Sequence, residues 1–579
     1  MSEQTSWIKQ TSATHVGHGG QEWWRTSAVY QVYPRSWADS NGDGVGDLPG
    51  ITAKLPYLRD LGVDALWISP FYTSPMADAG YDVADYRDID PLFGTLADAD
   101  KLIARAHELD LRVIVDLVPN HSSDEHEWFK AALAAGPGSP ERERYLFRDG
   151  KGENGELPPN DWQAIFGGNA WTRVSDADGN PEQWYLHLFD PKQPDFNWNN
   201  PEVRDEFVSI LTFWLDRGVD GFRVDVAHSL IKADGLPDHA AHAQMAGTGD
   251  ASHDNGGPMW DQEGVHEIYR AWRELLDSYN PRDTEGYDSA ADRAMCAEAW
   301  VSPPERLARY VRPDEFHQAF NFAFLETPWR AADLHESITS SYRSNDSVGA
   351  PTTWVLSNHD VVRHATRLAL PVGQPRPNGI RAEDPPPDAA LGLRRALAAT
   401  ALELALPGGA YLYQGEELGL PDHTTMPDEA RQDPTWERSE HTEAGRDGCR
   451  VPMPWVKDAP SFGFGPSEAT WLPQPEVYGD LAVDQQDGVA GSTLEFYRRM
   501  LRERHARELG SGSLTWVEGA GDDDVVAFVN SRDGHEDLWV VTNFGEPVAL
   551  PDDAFVVLSS GDADSLTVER DVTVWFTRA

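Results

Sequence analysis

Short apolar runs alternate along the chain with stretches whose apolar positions recur every three or four residues. The runs are Ala28–Tyr33, Ala65–Ser69, Arg112–Val118, Gly221–Val226, Ala294–Trp300, Gln318–Phe324, Thr353–Ser357 and Ala410–Gln414. Their length and composition predict strands. The helical pattern fills Leu96–Leu109, Pro201–Arg217, Gly264–Ser278 and Ala389–Leu404 among the intervals between them. Eight strands, each followed by helix-like sequence, predict an α/β fold, a (β/α)8 barrel of the TIM type. An open doubly wound sheet shares this periodicity, and eight repeats favour closure.

Two segments interrupt the alternation. After the third strand, His121–Asn197 is rich in Gly, Pro, Asn and Asp. A structureless loop of that length is uncommon in a compact domain, so a small inserted domain is expected there. Lys232–Gln262 is rich in Gly, Asp and His and reads as a long loop at the same end of the barrel. A helix over Ser492–Glu508 is followed by short alternating strands at Leu514–Val517, Val525–Asn530, Asp537–Asn543, Phe555–Leu558 and Val572–Phe576. These predict a terminal antiparallel β-sandwich. The expected division is residues 1–120 and 198–510 for the barrel, 121–197 for the insertion and 511–579 for the sandwich.

The 579 residues are 40% hydrophobic and 25% charged, a globular composition. Asp and Glu number 96 against 48 Lys and Arg, a formal net charge of −48. That field repels phosphate backbones and anionic lipid, so neither nucleic acid nor a membrane is an expected partner. Cys296 and Cys449 are too few for a disulfide framework and sit in no metal or redox motif. Met1–Gly20 contains no apolar leader segment, and no apolar run reaches about 18 residues. The expectation is a soluble cytoplasmic protein, a monomer or homodimer. The 22 Trp suit stacking on a flat hydroxylated ligand, although most Trp pack cores.

In a barrel of this kind the chemistry sits at the C-terminal ends of the strands. The third strand ends in Asp116 to His121, the fourth in Gly221 to Asp225 with Arg223 inside it, the fifth in Glu298 and Trp300, and the seventh in Ser357 to Asp360 with His359. Burying any one of these groups is costly unless it is paired or used. Several carboxylates with Arg and two His on one rim, in a chain without a dinucleotide or phosphate-loop motif, point to glycoside chemistry. One carboxylate must be ionised to attack an oxocarbenium-like centre, and another must be protonated to release the leaving oxygen.

These residues resemble glycoside hydrolase family 13, the α-amylase superfamily, and within it the maltase-like and oligo-1,6-glucosidase-like α-glucosidases. Asp116–His121, Gly221–Asp225, Glu298 with Trp300, and Asn358–Asp360 resemble four of its signatures, and Gln193–Trp198 in the insertion resembles a fifth. The likeness is near full-length. It implies Asp225 as nucleophile, Glu298 as general acid and then base, and Asp360 as the third carboxylate that grips the sugar and stabilises the transition state. It implies that Arg223 holds Asp225 ionised and that His121 and His359 bond the reacting sugar. A retaining reaction follows, with nucleophile and acid about 5–5.5 Å apart. Tyr81 and Asp82 resemble the tyrosine platform and the aspartate of the terminal glucose. Arg450 pairing with Asp82 would close the pocket and make the enzyme exo-acting; Arg446 is the competing arginine. Phe166 resembles a pocket wall, with a core aromatic as the alternative.

Asp39, Asn41, Asp43, Val45 and Asp47 place oxygen ligands at alternate positions, Val45 through its carbonyl. That spacing suits a hard cation, Ca²⁺ or in its place Mg²⁺, in a structural role. It resembles the calcium loop of oligo-1,6-glucosidase-like members; a metal-free loop of Asx turns is the alternative. No organic cofactor is expected. The stretch His239–His242 reads as solvated loop. Val226 after the nucleophile resembles α-1,6-preferring members, but Ala227 and His228 depart from their pattern, so maltose, isomaltose and sucrose all remain candidate substrates. The resemblance thus implies a retaining exo-α-glucosidase acting on short α-glucosides, with transglucosylation as a competing reaction. A trehalose synthase or sucrose-type isomerase would use the same constellation.

Overall fold

The computed structural model describes residues 7–17, 19–239, 257–281, 287–372, 377–521, 523–562 and 566–579. Eight parallel strands build the barrel: β1 (Ala28–Val32), β2 (Ala65–Ile68), β3 (Arg112–Leu117), β4 (Gly221–Val224), β5 (Ala294–Ala297), β6 (Gln318–Ala319), β7 (Thr353–Val355) and β8 (Gly409–Tyr413). Their hydrogen-bonded order is β6-β5-β4-β3-β2-β1-β8-β7. A parallel bridge between Phe320 and Thr353 joins the two ends and closes the barrel. β6 is shorter than its apolar run because Asn321 caps a helical turn over Phe322–Glu326. β4 stops at Val224, and Val226 two residues on takes a left-handed backbone at φ 43°.

Side chains alternate in and out along each strand. Val29, Ala65, Trp67, Ile114, Cys296 and Tyr411 share one cluster inside the barrel. Two residues further toward the C-terminal end, the sequence turns polar: Gln31 on β1, Asp116 on β3 and Arg223 on β4. Outside, the helices bury one stripe each. In Val265–Ser278 the residues Val265, Ile268, Tyr269, Trp272 and Leu276 recur at helical spacing and are all buried.

The insertion contains a helix, Glu127–Ala135, and a three-stranded antiparallel sheet of Phe147–Arg148, Pro181–Leu186 and Trp171–Ser175. A bridge between His121 and Asp195 ties its two ends together at the mouth of β3. Its own core joins Trp162, Trp171, Leu186 and Leu188 with Leu236 and Met259 from the long loop after β4. That loop is expected at the same end of the barrel, and its described parts are there. Of the His-rich stretch, residues 240–242 lie outside the described residues.

The terminal sandwich is less symmetrical than expected. Its main layer is a six-stranded antiparallel sheet, and the second layer is a ribbon of Val548–Ala549 and Thr567–Val568. The sheet also takes in Ile8–Lys9, which pairs with Ser513–Glu518, so these residues belong with the terminal sheet and not with the barrel. A two-residue edge strand carries too little alternation to be read from sequence. The other face of the sheet docks on helix Ala389–Ala405, where Trp575 Nε1 donates to the Ala401 carbonyl at 2.9 Å. Among the described residues no helix is long and apolar enough to cross a membrane.

Candidate active site

Arg223 organises the floor of the site. Its register neighbour on β3 is Asp116, so the two side chains rise together from the barrel interior. Arg223 Nη1 donates to Asp116 Oδ1 at 2.9 Å and to Asp225 Oδ1 at 2.8 Å. Its Nη2 lies 3.0 Å from Glu298 Oε2. The two terminal nitrogens of one planar fork therefore hold Asp225 and Glu298 side by side. Beneath, the guanidinium stacks over Trp67 at 4.9 Å. Glu298 is fixed further by the Val226 amide at 2.8 Å and by Trp300 Nε1 at 3.0 Å. The left-handed turn at Val226 thus sits where its N–H reaches Glu298.

One guanidinium faces three carboxylates. Burial lifts Asp225 well above the usual carboxylate range, and Glu298 and Asp116 add to this against the pull of Arg223. Burial likewise pushes Asp116 up to about 7, again opposed by Arg223. An excess of negative charge in a dry site keeps a proton in the cluster near neutral pH.

Asp360 behaves in the opposite way. Burial would raise its pKa, but His359, Arg446, Arg450 and Arg223 outweigh this and draw it below the carboxylate range. Arg446 Nη1 and Arg450 Nη2 both reach Asp360 Oδ1, at 3.0 and 2.9 Å. His359 is fully buried and its pKa is pushed far down by desolvation. The Gln31 amide nitrogen lies 2.7 Å from its Nδ1, which leaves Nε2–H to face Asp360 at 3.2 Å. Tyr81 stacks on His359 with centroids 5.3 Å apart and an interplanar angle of 10°. Its hydroxyl contacts His359 Nε2 at 2.6 Å and Asp116 at 3.2 Å.

The expected pair of Arg450 with Asp82 does not form. Asp82 is fully buried and accepts the backbone N–H groups of Ala77 and Asp78 at 2.8 and 2.9 Å. Burial pushes its pKa up to about 6, and those amides pull against the rise. Arg450 reaches Asp360 and the His359 carbonyl instead. The pair that joins these two loops is Asp78 with Arg446, at 2.8 Å. Arg446 is held in turn by Asp433 at 2.5 Å and lies over the Phe166 ring at 5.0 Å. Phe166 is therefore buried against this arginine. Sequence reading missed Asp78, although it stands three residues before Tyr81, and Asp433.

His121 joins the same end. Its Nε2 lies 3.2 Å from the Tyr81 carbonyl and 3.2 Å from Gln193 Nε2, and Gln193 also donates to Asp78 Oδ2 at 3.1 Å. Desolvation lowers its pKa to about 4, so the ring is neutral. The second and third strand ends, the insertion and the loop of Arg446 converge here.

The loop Asp39–Asp47 winds around its own oxygens. Asp39 accepts the amides of Asn41, Gly42 and Gly44, Asn41 that of Asp43, and Asp43 that of Val45. Asp47 accepts the Gly50 amide and so caps the helix that follows. Among the described residues no three His, Cys, Asp or Glu side chains converge as a metal cluster. A cation here would rely on Asn41 and the Val45 carbonyl as well. Asp39 Oδ1 already accepts two amides, but Asp39 Oδ2 and Asp43 Oδ1 accept one each and keep a lone pair, so the donor set is compatible with a hard cation.

Comparison with known proteins identifies the family. The profile described as "Alpha amylase, catalytic domain" matches residues 31–512. The chain is 36% identical over 550 residues to a probable alpha-glucosidase of Rhizobium meliloti (strain 1021), covering 91% of this chain and 90% of that protein. It is 34% identical to an oligo-1,6-glucosidase of Parageobacillus thermoglucosidasius, covering 92% of each. Among solved structures, an alpha-glucosyl transfer enzyme superposes with TM-score 0.79 at 34% identity, over 97% of this chain and all of that one. The trehalulose synthase of Pseudomonas mesoacidophila MX-45 superposes with TM-score 0.78 at 29% identity, over 97% of this chain and all of that one.

Proposed function

The chain belongs to the alpha-amylase family, glycoside hydrolase family 13, and from that premise we propose that it is a retaining exo-α-glucosidase of short α-glucosides. Asp225 attacks the anomeric carbon and forms a covalent glucosyl ester. Glu298 gives its proton to the departing oxygen, then takes one from the water that hydrolyses the ester. Asp360 stays ionised between two arginines and accepts the hydroxyls of the sugar. Arg223, with the two reacting carboxylates on its two nitrogens, is the observation that carries this reading.

The Asp78–Arg446 pair supports exo action, because Arg446 also contacts Phe166 and Asp360, and a loop-to-loop pair there would close one side of the site. Asp78→Asn should cut kcat/KM for maltose by roughly 10²-fold, the scale of truncating one partner of a buried charge pair. A longer maltooligosaccharide should lose the same factor in an exo enzyme. A variant that attacks internal bonds would confirm the pair as the barrier; an unchanged kcat/KM would remove it from the pocket.

Incubation with maltose, isomaltose, sucrose and trehalose, followed by anomer-resolved NMR, tests the whole reading. Early release of α-glucose supports it and assigns the linkage. Conversion to an isomer with little free glucose favours the second reading, an isomerase or transferase. Trp300 stacked on Phe322 at 3.8 Å beside Glu298 supports that alternative, since an apolar ledge favours a sugar over water as acceptor.

We further propose that Asp39–Asp47 holds Ca²⁺ as a structural ion. A chelator should then lower Tm by several degrees, with recovery on adding Ca²⁺ in excess. A Tm unmoved by either treatment would leave the loop as a chain of Asx turns.

A further inference from the structure

Lys232 begins the long loop after β4 and is one of the few cations buried near the site. Its Nζ lies 2.9 Å from Asp195 Oδ2 and donates to Asn120 Oδ1 at 2.7 Å and to the Ser229 carbonyl. The pair therefore clips the insertion, which carries Asp195, to the segment after β4 that begins with Asp225. A buried ammonium can only donate, so the atom of Asn120 that faces it must be the amide oxygen. Ser229 Oγ stands 2.8 Å from the same oxygen, but its one hydrogen has the Val226 carbonyl as an alternative at 3.0 Å. Lys232 has no such choice.

This fixes the other side of Asn120. Its Nδ2 must point at His121 Nδ1, 3.1 Å away, and donate to it. Gln193 presents a second amide nitrogen to His121 Nε2 at 3.2 Å. A neutral imidazole cannot accept at both nitrogens. The two amides therefore compete for the ring. Gln193 is oriented by the Asp190 amide, which donates to its Oε1 at 3.0 Å, and by Asp78. With Asn120 locked, Nδ1 is the acceptor and Nε2–H donates to the Tyr81 carbonyl at 3.2 Å. The second amide hydrogen of Gln193 is then left for a ligand hydroxyl.

We propose that Lys232 is a positioning residue that sets, through Asn120, which nitrogen of His121 carries the hydrogen toward Tyr81 and Gln193. It acts through His121 and touches no substrate. The proposal deepens the glucosidase reading and rests on it only for the kinetic readout. The charged groups around His121 are Lys232 and Asp195, with Asp78 across Gln193 and Tyr81 at its backbone. Removing Lys232 leaves Asp195 unbalanced, and an unbalanced carboxylate stabilises the imidazolium.

The test is the tautomer of His121, read from side-chain ¹⁵N shifts in the full chain, with His121→Gln to assign the signal. Wild type should show hydrogen on Nε2 and acceptor character at Nδ1. In Lys232→Met, Asn120 can turn its amide, and the signal should change to Nδ1–H or to imidazolium, with the acid limb of kcat/KM moving to higher pH. Should Lys232→Met not fold, K232M combined with D195N removes both charges, and the change to Nδ1–H is still expected. An Nε2–H tautomer retained in either variant, with only Tm lowered, would reduce Lys232 to a structural clip and overturn the proposal. The shifts are read without substrate, so a wild-type chain that released no glucose would defeat the glucosidase reading and leave this result standing.

Discussion

Asp225→Asn should lose about 10⁴-fold or more in kcat on any α-glucoside that proves to be a substrate, the scale seen when a covalent nucleophile is removed. The amide is nearly isosteric, so the fold should survive. The carboxylate has no substitute, because the other two acids around Arg223 are committed. Asp116 is tied to Arg223, Trp67 and Tyr81, and Glu298 to Val226 and Trp300. Removing one negative charge from the cluster also leaves Arg223 better matched to what remains, so Tm should stay level or rise. Pre-steady-state measurements with an activated aryl glucoside check the role: wild type should give a burst of aglycone, and the variant none. A variant within tenfold of wild type would show that Asp225 is not the nucleophile.

Glu298→Gln should divide substrates by their leaving group. A sugar leaving group needs a proton, and loss of the acid should slow maltose about 10³-fold, within the range of general acid catalysis. A nitrophenolate leaves without help, so the first step should be nearly unaffected. The glucosyl ester would then accumulate, because no base activates water for the second step. Mass spectrometry of the intact variant should find one added glucosyl unit on Asp225. Equal losses on both substrates, with no adduct, would argue against a proton role. The geometry makes the division sharp. Gln can still accept from the Val226 amide and from Arg223, so the side chain stays in place without a proton to give.

The barrel was legible because parallel strands are buried on both sides and read as short unbroken apolar runs. The acids at the strand ends were legible for a related reason: one titratable residue closing such a run can be a structural hydrogen-bonder, but several on one rim are hard to explain as packing. Asp78 was not legible. Asp78 and Asp82 both flank Tyr81, and local sequence does not say which turns inward. The fold decides: Asp82 is occupied by two nearby amides, and Asp78 meets an arginine 368 residues away. Arg446 and Arg450 were indistinguishable for a similar reason, since both reach Asp360 from one loop. Lys232 looked like the start of a polar loop, because burial of a lone lysine depends on Asp195 and Asn120 from other segments. The edge strand Ile8–Lys9 has no pattern of its own and exists only because Ser513–Glu518 is there to pair with it.

The pairing of strands far apart in the sequence bears on how the molecule is made. Ala28 on β1 pairs with Ala410 on β8, and Ile8 pairs with Glu518. During synthesis, then, these strands leave the ribosome with open edges and wait for partners made several hundred residues later. Closures over such separations are slow, and open edges invite neighbouring nascent chains to pair with them. The charge of −48 therefore does more than keep finished copies dispersed. On a polysome it separates unfinished ones, so the acidity of the sequence acts as protection for a barrel that stays open until β8 is made.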